Sequence, residues 1–415
     1  MDRRDRHLGF RKPKKAIGLD IGTHAVKVVL MSRSRGRLNI EQAGFSRVDR
    51  NQYENDPVLA QTLAILDATS KIQTKNALVV ASLPGQTVVV RYPRLIDIPR
   101  DQLESTIATE AANNIPYDLN DVFMDWSVLE KYQEDNREVT KILIVAAMRE
   151  VIRARLKLLS NAGVTCGIIG VDSLALSDGA EACNLYTKTE SVAIIDIGLS
   201  SSTVHFVKNG ISNFIRDVNW GSRELIQAVT KALHCSQEEA MNLIEQFEPP
   251  ETSADWEGSA TMVNTDTGEV PLAELPGTGD FSGSLLDPLD EEDAFAMPES
   301  SIPVAMEHQR EIQIQEAVTG PLNRFAIELR RSFDYYEHQL YEHPVDRILL
   351  SGGLARFPLL ANALEEELGF GVIDIASPVN SAVHVPATAT VQQLLNHPAQ
   401  FMVAVGLATR GMVDL

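Results

Sequence analysis

A strand, an Asp-x-Gly turn and a second strand occur twice in this chain, and that repetition restricts its fold more than any other feature. Ile17-Gly-Leu-Asp20-Ile-Gly22-Thr23 followed by Val26-Lys27-Val-Val recurs as Ile194-Ile-Asp196-Ile-Gly198-Leu followed by Thr203-Val-His-Phe-Val. One Asp-x-Gly marks an ordinary turn. Two copies, each opening a comparable α/β segment, imply duplicated lobes that face one another. At 415 residues with 44% apolar side chains, the chain can supply a core for each.

The periodicity fills in the rest. Strand-like runs at 77–82 and 87–92 follow a helix at 57–70 that opens on proline. Between 94 and 136 the pattern changes to a helix over 101–113 and a strand from 122 to 129, which reads as an inserted subdomain. A strand at 141–147, a helix at 150–161 and a strand at 164–171 return to the first lobe. After the second hairpin come helices at 222–233 and 236–247, the latter capped by Ser236 with Glu239 three residues on. A long helix over 306–341 repeats Leu322, Phe325, Leu329, Phe333, Tyr336 and Leu340 at core spacing. A strand at 345–351 and helices at 357–368 and 399–408 complete the chain. The expected organisation is a leader at 1–15, a first lobe at 16–93 and 137–190, an insert at 94–136, and a second lobe at 191–415 containing a loop at 249–303.

Charge sorts the partners. The net charge of −20 disfavours nucleic acid, which demands a basic face. More than half of that excess sits between Glu251 and Pro303, a stretch with no Lys or Arg that is too polar to offset the entropy of ordering. Its cluster Phe281, Leu285, Leu286 and Leu289 is either a partner-docking peptide or an ordinary disordered sequence. The basic leader, with Arg3, Arg4, Arg6, Arg11, Lys12, Lys14 and Lys15, is either a solvated tail or a contact for anionic lipid. No run reaches the roughly 18 apolar residues of a membrane span, and no signal-peptide core is present. Cys166, Cys183 and Cys235 are odd in number, lie apart from metal-ligand spacing, and read as reduced thiols in the cytoplasm.

A nucleoside triphosphate needs amides aimed at its oxygens and carboxylates around hydrated Mg²⁺. Asp20-Ile-Gly22-Thr23 offers a carboxylate at a strand end, then amides and a hydroxyl. Asp196-Ile-Gly198-Leu-Ser200-Ser201-Ser202-Thr203 offers the same with more hydroxyls. Ser351-Gly352-Gly353 ends a strand where a flat base could meet the backbone. On the long helix, Glu328, Arg331 and Tyr335 form a polar stripe, which is either a surface for ribose and base or a solvated salt-bridged face.

These three motifs, in this order, resemble those of the actin and sugar-kinase superfamily. Within it the chain resembles the type IV pilus assembly family PilM, related to the division protein FtsA. The resemblance is carried by 17–27, by Glu110-Ala-Ala-Asn-Asn-Ile-Pro-Tyr117, and by Glu328-Leu-Arg-Arg-Ser-Phe-Asp-Tyr-Tyr336. It implies an α/β actin-like ATPase fold of two RNase H-like lobes with an inserted subdomain. It implies ATP contacts from Asp20, Gly22, Thr23, Lys27, Asp196, Gly198, Ser200, Ser201, Glu328, Arg331, Ser351, Gly352 and Gly353, with Mg²⁺ held by Asp20 and Asp196 through water. Asp172, in Gly170-Val-Asp-Ser, stands in the region where hydrolysing relatives orient water. Ser200 replaces a second glycine of the superfamily turn, and the acidic loop is longer than the family pattern. The resemblance implies a cytoplasmic adaptor at the inner face of the membrane, binding the N-terminus of a PilN-type inner-membrane protein near the insert and reaching pilus motor components through it. Competing expectations are a small-molecule kinase with Asp172 as base, an FtsA-like division protein, and a type II secretion component. The FtsA-like reading lacks a C-terminal amphipathic membrane helix behind Met412-Val-Asp-Leu415.

Overall fold

Both Asp-x-Gly segments fold as hairpins with the same turn. In the computed structural model, which describes residues 13–247 and 301–412 apart from Arg35 and Thr74, β1 (Lys15–Ile21) and β2 (Ala25–Ser34) pair antiparallel from Ile21↔Val26. The Gly22 N–H closes the turn onto the Ala25 carbonyl at 3.1 Å. Strands β10 (Ser191–Ile197) and β11 (Ser202–Lys208) pair from Ile197↔Ser202, and the Gly198 N–H bonds the Ser201 carbonyl at 3.0 Å.

Each hairpin starts a sheet of the same topology. In the first sheet, β3 (Arg37–Arg47) follows β2 antiparallel, and β4 (Leu78–Leu83) and β9 (Ile168–Val171) run parallel on the other side of β1. In the second, β12 (Ile211–Val218) follows β11, and β13 (Arg347–Gly352) and β14 (Ile373–Ile375) run parallel beyond β10. The duplication thus covers five strands per sheet. Its β3 member has alternating polar residues and was not foreseen from the sequence.

Helices α1 (Arg50–Asn55), α2 (Pro57–Thr69) and α4 (Arg149–Asn161) belong to the first sheet's side, with Asp56 capping the Pro57 helix end through the Leu59 N–H. Helix α5 (Asp172–Ala182) leaves directly from β9. On the second sheet, α6 (Arg223–Leu233), α7 (Gln237–Glu245), α8 (Ser301–Asp334) and α9 (Pro358–Leu368) enclose a core where Trp220 stacks on Phe325 at 4.0 Å and Phe206 on Tyr336 at 4.2 Å.

Three expectations change. The insert is larger than 94–136, because β8 (Arg137–Met148) takes its partners from β5 (Val88–Arg91), β6 (Arg94–Ile96) and β7 (Val122–Glu134), with α3 (Leu103–Asn114) packed on this third sheet. The C-terminal part is not confined to the second sheet. Strand β15 (Val383–His384) joins β3, and after α10 (Gln392–Asn396) helix α11 (Met402–Arg410) packs on β1 and α5. The long helix ends in a π-turn at Tyr335–Gln339. That turn adds a residue to the repeat and advances the phase, so Leu340 is exposed while Leu322, Phe325, Leu329, Phe333 and Tyr336 are buried. The leader to residue 12 and most of the acidic stretch, with Phe281, Leu285, Leu286 and Leu289, lie outside the described residues. Lys15 already belongs to β1, and 301–303 open α8. All three cysteines are free.

Candidate nucleotide site

Both turns close too tightly to admit a side chain at their glycine. A Cβ on Gly22 would come within 2.9 Å of the Ala25 carbonyl, and one on Gly198 within 2.9 Å of the Ser201 carbonyl. Behind the second turn, the Ser222 and Arg223 N–H groups bond the carbonyls of Gly198 and Leu199 at 2.9 Å each, so the start of α6 holds it. Thr23 is exposed beyond the first turn. Ser200 accepts from Arg223 Nη2 at 3.0 Å, and Ser202 spends its hydroxyl on the Trp220 carbonyl at 2.8 Å. Ser201 is half-buried at the turn itself.

Strand register brings the polar side chains into rows. Across the second sheet, Asp217, Thr203, Asp196 and Ser351 are successive neighbours. Thr203 Oγ1 donates to Asp217 Oδ1 at 2.7 Å, and Ser351 Oγ donates to Asp196 Oδ1 at 2.8 Å. In the first sheet Lys27 lies opposite Asp20, and its Nζ meets Asp20 Oδ2 at 2.9 Å. Asp172 heads α5, and its Oδ1 accepts from the Gly85 N–H at 2.8 Å and the Ser173 N–H at 2.6 Å.

The carboxylates act on one another. Burial first, then the charge on Asp20 and those on Asp217 and Asp196, push the Asp172 carboxyl up to about 8. Burial raises Asp196 too, with Asp20 adding to the effect against the Ser351 hydrogen bond and Lys27. Burial raises Asp217. Lys27 loses hydration on burial, which lowers its pKa, yet Asp20, Asp196 and Asp172 outweigh that and leave it raised. The site is short of positive charge.

Beside the two turns opens a cavity of about 310 Å³ lined by His24, Leu199, Ser222, Met241, Phe247 and the Gly352–Gly353 pair, among others. Gly352 adopts φ +93°, and a Cβ there would meet the Ile197 carbonyl at 2.3 Å, whereas one on Gly353 meets nothing within 4 Å. The backbone is therefore open to a flat ligand at Gly353 and closed to any side chain at Gly352.

Glu328 and Arg331 are elsewhere. They are exposed and ion-paired with each other on α8, and Tyr335 lies tilted against Phe214. Neither they nor Tyr335 line the cavity; its walls come from His24 and Arg47 of the first lobe, from Leu199, α6 and α7, and from the segments after β13 and α10. Sequence reasoning missed Asp217, Arg155 and Arg223. Asp217 is found by register alone, opposite Thr203 of the second motif. Arg155 feels Asp20 and Asp172 from α4, where burial lowers its pKa.

The residues fit a magnesium nucleotide. Arg155 Nη1 and Arg223 Nε are buried with no hydrogen-bond partner among the described residues, and both belong to side chains beside the carboxylates or the second turn. Buried donors without acceptors, beside carboxylates that outnumber the one lysine paired among them, are what an anion carrying a divalent ion would complete. No three His, Cys, Asp or Glu among the described residues are grouped to hold a metal ion by themselves.

Asp172 makes stability depend on pH. With a folded pKa of about 8 against 3.8 unfolded, the native chain keeps a proton that the unfolded chain has released in that window, so stability falls as pH rises through it. Asp172→Asn keeps an oxygen for Gly85 and Ser173. Thermal melts should show the variant roughly 2–4 °C above wild type at pH above about 8, and level with it near pH 4.

Two comparisons set this geometry among known proteins. The family described as type IV pilus assembly protein PilM matches residues 18–253 and 308–412. This chain belongs to that family. The PilM match breaks across most of the acidic stretch and resumes in α8. A solved structure described as a PilM–PilN type IV pilus biogenesis complex is similar over 96% of this chain and 98% of its own, at 19% identity and a TM-score of 0.67. The ethanolamine utilization protein EutJ from Carboxydothermus hydrogenoformans aligns over 98% and 93%, at 12% identity and 0.47. MreB 5 of Spiroplasma citri bound to AMPPNP aligns over 95% of each, at 10% and 0.42. The PilM-family chain has the actin-like ATPase fold, with the duplicated sheet as its two halves.

Proposed function

We propose that this protein is a cytoplasmic, ATP-binding adaptor of type IV pilus assembly that takes up the cytoplasmic N-terminus of a PilN-type inner-membrane protein. The observation that carries the reading is the pair of carboxylate-bearing turns meeting beside a cavity closed by Gly352–Gly353, in a chain of the PilM family. Asp20 and Asp196 would hold Mg²⁺ through water. The amides at Gly22–Thr23 and Gly198–Ser201, with Lys27, Arg155 and Arg223, would meet the phosphates. Bound magnesium nucleotide supplies the divalent charge that the carboxylate cluster lacks, and the anionic oxygens that the arginines lack. Asp172 is the residue on which any hydrolysis would depend, as the group that accepts a proton from or orients a water.

The peptide site we assign to a groove of about 250 Å³ on the third sheet, lined by Arg91, Tyr92, Arg94, Glu110, Asn114 and Ile144, among others. It lies between β5, β6 and α3, and combines two guanidinium groups with an apolar wall at Ile115 and Ile144. No helix among the described residues is long and apolar enough to cross a membrane, and attachment through PilN supplies an indirect route to one. Titration calorimetry with a synthetic peptide of the partner's cytoplasmic N-terminus should give a Kd on the order of micromolar. Asn114→Trp, which fills the groove from an exposed position, should weaken it by about tenfold or more. A wild-type chain that ignores the peptide would overturn the partner assignment.

A further inference from the structure

The end of the first sheet that lies away from the nucleotide cavity gathers positive charge. Strand β1 starts there at Lys15, β2 and β3 turn over between Ser34 and Arg37, and β4, parallel to β1, starts with Leu78 opposite Ala16. The Arg33 N–H donates to the Lys14 carbonyl at 3.2 Å. Register therefore puts Lys14, Arg33 and Arg37 together, with Lys71 and Lys75 in the connection that enters β4 beside them. All five are exposed. Helix α4 runs to the same end, because the chain leaves it to start β9 parallel to β4, and its C-terminal half adds the exposed Lys157. Few acids answer these cations. Among the described residues on this side of the sheet, Glu41 is held by Lys15 and Asp67 is exposed near the end of α2. The net charge of −20 does not describe this surface, since more than half of it belongs to the stretch that departs after Phe247, on the wall of the nucleotide cavity.

Beside the cations lies an apolar strip. Helices α2 and α4 both run toward this end and pack side by side on the first sheet through Ala64, Ile65, Ala68, Leu158 and Leu159. That packing buries one face of each helix. On the other face Leu63 is 46% exposed, Leu66 44% and Leu156 42%. Leu59, Leu63 and Leu66 are spaced by four and three residues, so they form one stripe along α2, which leads into Lys71. Apolar area of this kind, rimmed by charge of one sign, marks a contact surface.

We propose that this end of the first sheet is a lipid-facing surface: its lysines and arginines lie on anionic phospholipid headgroups, and the leucines of α2 and α4 enter the apolar layer just beneath them. The chemistry selects a bilayer. A headgroup plane presents negative charge over a broad area with acyl carbon directly under it, which matches cations and half-exposed leucines side by side. A nucleic-acid backbone would engage the cations and leave the leucines in water. The basic leader joins the fold at Lys15, so its charges start from the same end. The contact is independent of the nucleotide and peptide readings, since none of its residues lines either cavity.

The test sediments the full chain with vesicles of equal parts phosphatidylglycerol and phosphatidylethanolamine, and with vesicles of phosphatidylcholine. We expect binding to the first that weakens as salt rises from about 0.05 to about 0.3 M, and binding to the second that is weaker by about tenfold or more. Lys71→Gln with Lys75→Gln should lower the anionic partition by roughly tenfold or more. Leu63→Ser with Leu66→Ser should lower it by roughly fivefold or more. All four positions are exposed, so both pairs should melt within about 2 °C of wild type. Should the leucine pair fail to fold, Leu156→Ser takes its place, and Arg33→Gln with Arg37→Gln does so for the lysine pair. A wild-type chain that ignores anionic vesicles, or binds both kinds equally, overturns the proposal. Binding at wild-type strength in both pairs also overturns it, by placing the contact in the leader alone. Loss in the lysine pair with none in the leucine pair overturns it as well, because the occupant would then be a polyanion such as nucleic acid.

Discussion

Magnesium ATP should raise the melting temperature of the wild-type chain and leave Asp196→Asn where it was. A ligand that binds only the native state at about 100 times its Kd adds about 2.7 kcal/mol, so the wild-type shift is several degrees and its loss is plain in a thermal melt. The choice of asparagine matters. It keeps an oxygen for the Ser351 hydroxyl and removes a carboxylate that burial and Asp20 already push towards its neutral form, so the ligand-free variant should be as stable as wild type or more so. Asp20→Asn should lose the shift as well, but with a cost to the ligand-free protein. Lys27 keeps its charge in a buried position because Asp20 lies 2.9 Å away, and without that partner the ammonium is poorly compensated. Two variants with the same loss of ligand response and opposite effects on ligand-free stability would separate this site from a general weakening of the fold. Protection that survives in both would place the nucleotide elsewhere.

The parts of this site that could be read from the sequence are those made by neighbours in the chain. Asp20 and Gly22, or Asp196 and Gly198, sit within one turn of each other, and a turn flanked by apolar alternation is a local signal. Asp217 is no less close to the second turn, yet in the sequence it is a lone acid in Ile-Arg-Asp-Val, and only the β11–β12 register brings it to Thr203. The same limit explains the insert. The run at 141–147 reads as a buried strand, but whether it pairs with β4 or with β7 is settled by contacts far along the chain, and β8 chose the third sheet. The Glu328–Arg331 stripe is ambiguous for another reason, because polar helical spacing is equally well satisfied by a surface ion pair, which the two residues form. Leu340 kept core spacing on an ideal helix and lost it through a π-turn that no composition rule marks. His205 reads as an ordinary alternating strand residue, and only the fold shows that α5 and β12 place a partner on each of its ring nitrogens.

Gly406→Ala should cost more stability than any substitution inside the cavity, on the order of 3 kcal/mol or more. Helix α11 crosses both α5 and β1 with backbone against backbone. A Cβ on Gly406 would sit 1.7 Å from the Ala175 carbonyl, one on Gly179 would sit 2.5 Å from the Met402 carbonyl, and one on Gly18 would sit 1.8 Å from the Ala404 carbonyl. No flexible side chain stands in the way to yield, so one methyl must drive apart two elements whose other contacts are fully formed, and every residue from Met402 to Thr409 is buried. Gly353→Ala is the matched control, since an added Cβ there meets nothing within 4 Å. It should melt within about 1 °C of wild type while weakening nucleotide binding at the open backbone face. The contrast also bears on the site, because α5 carries Asp172 at its first position and α11 is the element that seats α5 against β1. A folded Gly406→Ala chain should therefore bind Mg²⁺–ATP more weakly as well, through a displaced Asp172 rather than a lost ligand contact. Melting within a degree or two of wild type, with ATP protection intact, would mean that α11 does not lie between α5 and β1 in solution.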